Sequence, residues 1–208
     1  MIAIALHLLI VLPLFFAALV VHEVSHGWVA NRLGDPTAKT LGRLSFNPLR
    51  HIDPIGTILL PVLLMATHAP FVFGWAKPVP IDVGRLHSPK RDLVWVGLAG
   101  PAANLALAVA LAGILRLIHP PVGSLLGTLL VSAIIMNLVL GFFNLIPIPP
   151  LDGSRVAAGL LPYWGAHWLV VLEPFGFLIL IILMWGGLTH RLIWPLVLRA
   201  LHLLGVMG

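Results

Sequence analysis

The chain has 208 residues, of which 60% are hydrophobic and only 9% are charged, and its mean hydropathy is +1.06. A soluble globular domain is roughly 45–50% apolar and about 25% charged, so this composition excludes that class and indicates an integral membrane protein. The net charge is +5, but no dense run of Lys and Arg resembles a nucleic-acid-binding arm, and we expect no nucleic-acid partner. Cysteine is absent, which excludes disulfides, thiolate metal ligands and cysteine nucleophiles.

The apolar segments predict an all-α polytopic membrane protein with about 4–6 transmembrane helices, since one spanning helix needs about 20 apolar residues. No loop is long enough for an independent soluble domain, so we expect residues 1–208 to form one membrane-embedded domain. The candidate spans are residues 2–31, 93–115, 122–145 and 168–188, the last interrupted at Glu173-Pro174, followed by a short apolar helix at 191–207 that spans or lies in the interface.

Residues 54–68 are short for a span and contain Pro61. Basic loops favour the cytoplasm, and a single full crossing cannot place two basic flanking loops on that side. We therefore expect a re-entrant or partly inserted segment, with Met1 outside and Arg32 inside. The basic residues of the two loops are Arg32, Lys39, Arg43 and Arg50 before the segment, and Lys77, Arg85, Lys90 and Arg91 after it.

Three ionisable residues, His22, Glu23 and His26, interrupt the first apolar segment. Two histidines four apart lie on one face of a helix and can bind one metal ion. This is the HExxH pattern of zinc hydrolases, in which the glutamate accepts the proton of a metal-bound water. Arg32 lies ten residues after His22, about 15 Å along a helix. At that depth, ionisable residues are expected to be functional rather than interfacial.

The HExxH pattern supplies two ligands, so a third must come from elsewhere. Asp152 and Glu173 are the acidic candidates within or next to the later spans. Three prolines break the helix before Asp152, and broken backbone is tolerated at membrane depth where it lines an enclosed cavity. Asp152 could also be the N-cap of the next helix, which is compatible with metal binding. Glu173 precedes Pro174 and is typical of a helix end near the interface, so we favour Asp152.

Two asparagines lie in otherwise apolar spans. Asn104 follows Gly100-Pro101, and two roles remain open for it. It could hydrogen-bond between helices, or it could point into the site as an oxyanion donor or a water-orienting donor. For Asn137 we expect a role in helix packing.

The combination of "HEVSH" (22–26), "AGPAANL" (99–105) and "FNLIPIPPLDG" (143–153) resembles the site-2 protease family of intramembrane zinc metalloproteases. The chain looks closest to the compact prokaryotic members without a PDZ domain, and the resemblance covers residues 15 to 160. It implies a zinc ion held by His22, His26 and Asp152, with Glu23 as the general base.

The same resemblance implies how a substrate is held. Asn144 of the second motif would contact the substrate backbone. "GWAKPVP" (74–80) is similar to an extended segment near the active site, and a short β segment there, including Lys77 and Val79, would hold an unwound substrate at its edge.

The implied function is hydrolysis of peptide bonds within or near transmembrane segments of other membrane proteins, known as regulated intramembrane proteolysis. The implied partners are those substrates and the lipid bilayer, and the implied location is a prokaryotic plasma membrane. The alternatives are a polytopic metal-ion transporter and a non-catalytic membrane scaffold. Neither requires Glu23 beside His22, nor the helix break before Asp152. Substrate choice and oligomeric state stay open.

Overall fold

The computed structural model describes residues 2–67 and 77–207. Within those ranges the chain is helical and contains no strand, as the all-α prediction requires. The α-helices are α1 (Ile2–Arg32), α2 (Thr37–Thr40), α3 (Leu60–Ala66), α4 (Pro89–Ile118), α5 (Leu125–Asn144), α6 (Asp152–Leu160), α7 (Tyr163–Leu172), α8 (Gly176–Trp185) and α9 (Trp194–Leu203).

Four helical segments of the described chain are long and apolar enough to cross a membrane, which lies within the predicted range. The fourth is not one continuous α-helix. A single 3₁₀ turn, Glu173–Phe175, joins α7 to α8 where the sequence predicted an interruption, because Pro174 lacks the amide that the α-helix needs. The four segments are Leu12–Arg32, Pro89–Ile118, Leu125–Asn144 and Tyr163–Trp185.

The segment that follows the first basic loop is short. A π-helical turn, Pro54–Leu59, leads directly into α3. The 13 residues from Pro54 to Ala66 extend for about 20 Å, less than the hydrocarbon core of about 30 Å. This length suits the predicted partial insertion, which stays a prediction. Of the predicted extended segment 74–80, residues 74–76 lie outside the described part, and residues 77–82 have no regular secondary structure.

Helix α4 is the centre of the bundle and packs against α1, α5 and α6. Glycines allow α6 to approach it closely. A Cβ atom at Gly159 would lie 2.4 Å from Val94 and 2.6 Å from the carbonyl oxygen of Lys90, and one at Gly97 would lie 3.1 Å from the carbonyl oxygen of Asp152. The small residues on both helices therefore bring α6 against the first third of α4, with the start of α6 at Gly97.

A separate apolar cluster joins α4 and α5 to the C-terminal helix. Its side chains are almost completely buried, and the C-terminal apolar segment therefore packs on the bundle through one face. The members are Ala108, Ala112, Ile134, Leu138, Ile146, Leu151, Leu180, Ile193, Val197 and Leu201.

Candidate active site

Three predicted ligand atoms converge between α1 and α6. Asp152 Oδ2 lies 2.9 Å from His22 Nε2 and 3.1 Å from His26 Nε2, and the two Nε2 atoms are 3.1 Å apart. All three side chains are buried. In the described part of the chain, this is the only group of three histidine and acidic residues that could hold a metal ion. Helix α1 supplies the two imidazole rings, which lie one turn apart on one face, and the first residue of α6 supplies the carboxylate.

The proton positions indicate that a cation belongs in this cluster. His26 Nδ1 lies 2.6 Å from the carbonyl oxygen of Val96, which can only accept, so Nδ1 carries a proton, and in the neutral imidazole Nε2 then presents a lone pair. The carboxylate oxygen of Asp152 is also an acceptor. These two acceptors, 3.1 Å apart, cannot hydrogen-bond to each other, and a positive ion between them removes their repulsion.

The spacing of the ligand atoms fits zinc. Zinc bonds of about 2.0–2.2 Å in a tetrahedral site separate the ligand atoms by about 3.3–3.5 Å, a few tenths of an ångström more than the separations here. The wall opposite the cluster is Gly100. A Cβ atom there would lie 2.4 Å from His26 Nε2 and 2.6 Å from His22 Nε2. Only glycine leaves room for an ion at this point of α4.

Each ligand side chain has an outer partner. His22 Nδ1 lies 2.6 Å from Asn104 Oδ1, and His26 is held by Val96 as described. Arg155 donates to Asp152 Oδ1 at 3.2 Å, which leaves Oδ2 for the cluster. The sequence reasoning missed Arg155, although its position three residues after Asp152 on a helix would have indicated the pair.

Asp152 is the first residue of α6, and the N-cap position is occupied by Leu151. The partners of its carboxylate are the two imidazoles and Arg155. The geometry therefore favours the ligand role over the N-cap role that the sequence left open. Glu173, the other acidic candidate, is exposed in the 3₁₀ turn after α7 and does not belong to the cluster.

Glu23 is half-buried beside the cluster and contacts the predicted extended segment. Its Oε2 accepts the main-chain N–H of Val79 at 2.8 Å. The Val79 side chain is buried and lies against Gly27, where a Cβ atom would be 2.8 Å from Val79 Cγ1. This segment therefore reaches the site through its main chain.

Lys77, two residues before Val79, has an exposed side chain. Its N–H donates to the carbonyl oxygen of His51 at 2.8 Å, and its own carbonyl oxygen accepts from Arg43 at 2.7 Å. Main-chain contacts thus hold the residues next to Glu23 in place.

The two asparagines of the predicted site occupy different surroundings. Asn144 is half-buried at the end of α5, and its Nδ2 donates to the carbonyl oxygen of Leu140 at 3.0 Å. Asn104 is completely buried. It joins α4 to α1 and α5, because its Nδ2 lies 3.1 Å from the carbonyl oxygen of Ala18 in α1 and 2.8 Å from Asn137 Oδ1 in α5. Its polar atoms are committed to the protein, which favours the helix-bridging role.

A second buried carboxylate, Asp35, lies just beyond α1. Its Oδ1 accepts from the hydroxyl and the amide of Thr37, and its Oδ2 accepts from the amide of Asp82 at 2.7 Å. Burial by itself raises the pKa of the Asp35 carboxyl, but the donors at Thr37 and Asp82 outweigh burial and hold that pKa below its usual value. This contact fastens the far end of the segment that carries Val79 to the end of α1.

Comparison with known proteins identifies the class. Residues 121–183 match the family model "Peptidase family M50". The Bacillus subtilis protein named "Putative zinc metalloprotease YwhC" is 37% identical over 182 residues, which cover 84% of this chain and 80% of that protein. Rip2 of Mycolicibacterium smegmatis, which carries the same description, is 32% identical over 91% of this chain and 71% of its own. No solved structure shows significant similarity.

The chain belongs to peptidase family M50, the site-2 protease family. It is a zinc metalloprotease, and the four long apolar helical segments in the described part of the chain indicate an integral membrane protein.

Proposed function

We propose that this protein hydrolyses peptide bonds within or near transmembrane segments of other membrane proteins, using zinc held by His22, His26 and Asp152. The observation that carries the proposal is the depth of the ligand cluster. Gly100, which faces it, lies eleven residues after Pro89 and eighteen before Ile118, about 16 Å and about 27 Å along α4. A hydrolytic site at this position of α4 would meet its substrate inside the membrane.

The chain's own residues divide the chemistry between them. Zinc held by His22, His26 and Asp152 would supply a coordinated water whose pKa is lowered to about 7. Glu23 adjoins His22 but lies outside the ligand group, so its carboxylate is available as the general base. It takes the proton of the attacking water and returns a proton to the leaving amine nitrogen as the peptide bond breaks.

The extended segment would present acceptors rather than donors to a substrate. Pro78 and Pro80 have no amide N–H, and the N–H groups of Lys77 and Val79 are bonded to His51 and Glu23. An unwound substrate strand could donate its amides to the carbonyl groups that remain. We include Val79 in the substrate site on this basis, and Lys77 as its neighbour with an exposed side chain, because the carbonyl oxygen of Lys77 already accepts from Arg43.

Asn144 is our candidate for the opposite side of the substrate. Its Nδ2 is bonded to Leu140, whereas its Oδ1 has no partner among the residues that the structure describes. An acceptor at the end of α5, beside the proline-rich break, suits the capture of a substrate amide.

The catalytic proposal is tested by replacing Glu23 with glutamine. Glu23→Gln retains the shape of the side chain but cannot accept a proton, so the purified protein should retain stoichiometric zinc while cleavage falls by about 10²–10⁴-fold. Zinc is measured by metal analysis, and cleavage is measured on a single-span membrane protein in proteoliposomes. Glu173→Gln is the matched control, because Glu173 is exposed and outside the cluster, and it should cleave at the wild-type rate.

Two outcomes would contradict the proposal. Cleavage by Glu23→Gln at more than about a tenth of the wild-type rate would remove Glu23 as the base. Zinc transport into the vesicles without cleavage would favour the transporter. In cells, comparing membrane-protein fragments between wild type and Glu23→Gln would identify the substrates.

The substrate role of Asn144 has a separate test. Asn144→Ala should retain zinc and thermal stability while cleavage falls, and helix-breaking residues inserted into the substrate segment should restore part of the rate, because less capture energy is then needed. A parallel loss of stability and activity would assign Asn144 to capping α5 alone.

We also propose that the protein is a single domain in a prokaryotic plasma membrane, with the loop after α1 in the cytoplasm. The basic residues of that loop support this orientation, and the relatives come from bacteria and an archaeon. Because the chain has no cysteine, single cysteines at Thr40 and Ser124 can be labelled from either side without interference. Labelling of Thr40→Cys from outside the cell would show that the protein has the opposite orientation.

A further inference from the structure

A chain of buried amides connects α5 to the zinc cluster. Asn137 Nδ2 lies 2.8 Å from the carbonyl oxygen of Ala133, and Asn137 Oδ1 lies 2.8 Å from Asn104 Nδ2. Asn104 Oδ1 lies 2.6 Å from His22 Nδ1. Asn104, Asn137 and His22 are each at most 3% exposed, so water does not compete for these groups.

The direction of every hydrogen bond in this series of buried amides follows from the main-chain carbonyl of Ala133 at the end away from His22. A main-chain carbonyl can only accept, so the Ala133 oxygen requires the nitrogen of the Asn137 amide to face it. The oxygen of Asn137 then faces Asn104, whose nitrogen must donate to it and to the carbonyl oxygen of Ala18. The oxygen of Asn104 is thereby turned toward His22.

From this geometry we propose that Asn104, held in one orientation by Asn137, is a positioning residue that sets the tautomer of His22. An oxygen at 2.6 Å requires the proton of the imidazole to lie on Nδ1. Nε2 then presents its lone pair to the cluster, which is the form that a metal ion needs. The inference depends on His22 being a zinc ligand, as stated under Proposed function.

The two histidine ligands differ in the group that holds the proton on Nδ1. His26 donates to the main-chain carbonyl of Val96, which no side-chain substitution can convert into a donor. His22 depends on an amide side chain that would offer either an oxygen or a nitrogen if it were free to flip. The second asparagine and the Ala18 carbonyl remove that freedom. Asn137 therefore has a role beyond the helix packing predicted from the sequence.

The test uses full-length protein in detergent with zinc or Co²⁺ in the site. Asn104→Leu is nearly isosteric but has no acceptor. We expect its zinc affinity, measured by chelator competition, to fall by about 10–100-fold, the usual cost of losing an outer partner of a metal ligand. In the Co²⁺ protein, NMR should show an exchangeable ring N–H resonance for each histidine ligand. The resonance of His22 should broaden or disappear in Asn104→Leu, while that of His26 persists.

Three further variants separate positioning from packing. Leu138→Ala removes a buried side chain next to Asn137 without removing a hydrogen bond, and it should lower stability without changing either resonance. Asn104→Asp keeps an oxygen toward His22 and should keep the resonance. Asn137→Leu should weaken zinc binding less than Asn104→Leu, because Ala18 still orients Asn104. It should have no added effect in the Asn104→Leu background, since both substitutions break one chain.

The outcomes distinguish this inference from the proposed function. If His22→Ala binds zinc as tightly as wild type, His22 is not a ligand and both fail. If zinc binding requires His22 but Asn104→Leu changes affinity by less than about twofold and leaves both resonances in place, the positioning role alone is overturned.

Discussion

Two of the buried carboxylates in the described part of the chain, Asp152 and Asp35, lie close to the ends of helices, and their surroundings are opposite in kind. Asp152 is 6% exposed, and the partners of its Oδ2 are the Nε2 atoms of His22 and His26. Asp35 is fully buried, and its partners are the hydroxyl and amide of Thr37 and the amide of Asp82. Oδ2 of the first carboxylate faces nitrogen atoms that hold lone pairs in the neutral imidazoles, whereas both oxygens of the second face groups that carry protons.

The difference separates a functional site from a structural one. A buried carboxylate whose acceptors are filled by protein donors is satisfied without any ligand. A buried carboxylate that faces further acceptors requires a cation. By burial and charge alone, Asp35 would be a better candidate for a metal ligand than Asp152. The identity of the hydrogen-bond partners is therefore what distinguishes a metal ligand from a carboxylate that anchors a loop.

The largest expected effect comes from neutralising the carboxylate of the cluster. Asp152→Asn preserves shape but removes the charge that a cation requires. Zinc affinity should fall by more than about 100-fold, beyond the usual cost of losing an outer partner, and cleavage should be lost. Metal analysis after dialysis against a weak chelator measures the affinity. Zinc bound at wild-type affinity would show that Asp152 is not a ligand, and the proposed difference in role between Asp152 and Asp35 would be wrong.

Filling the space at Gly100 should have the next largest effect. In Gly100→Ala the added methyl carbon would lie 2.4–2.6 Å from both Nε2 atoms, closer than carbon and nitrogen can approach. We expect most of the zinc to be lost, although no ligand has changed. Gly113→Ala, in the same helix with nothing within 4 Å of the added carbon, is the control. Equal zinc contents in the two variants would contradict the position assigned to the ion.

The structural carboxylate should respond in the opposite way. Asp35→Asn replaces one acceptor oxygen with a donor that faces Thr37 or Asp82, and an unsatisfied buried group costs about 1–3 kcal/mol of unfolding free energy. Thermal unfolding in detergent should show the loss, while zinc stoichiometry stays at the wild-type value. Asp82→Asn changes an exposed side chain and keeps the amide that Asp35 accepts, so it should be nearly neutral. Loss of zinc in Asp35→Asn would contradict the separation of roles, because it would show that Asp35 also supports metal binding.

The smallest effect is a dependence on pH. The pKa of Asp35 is lowered in the folded protein, so its stabilising contribution is complete above its pKa in the unfolded chain, about 3.9. That contribution is lost as the pH falls through the lower folded value. The difference in melting temperature between wild type and Asp35→Asn should therefore be constant from pH 5 to 7, roughly, and shrink below about pH 4. A difference that grows in acid would reverse the sign of the shift.

Much of the active site could be predicted from local sequence patterns. The spacing of His22 and His26 places two rings on one helical face whatever surrounds the helix, and the prolines before Asp152 interrupt α5 by their own covalent geometry. By contrast, the N–H from Val79 to Glu23 and the anchoring of Asp82 by Asp35 join residues 56 and 47 positions apart. No short motif encodes such contacts.

The sequence alone determined that this protein lies in a membrane and carries the HExxH pair, because apolar composition and helical periodicity act over a single segment. Only the tertiary structure brings Asp152, which the sequence favoured, to the two histidines. Asp152 reaches His22 across 130 residues because glycines let α6 lie against α4, and Gly100 leaves the space for an ion. The orientation of Asn104 was decided in the same way, since an amide side chain offers both an acceptor and donors, and only its packed neighbours select which of them faces the histidine.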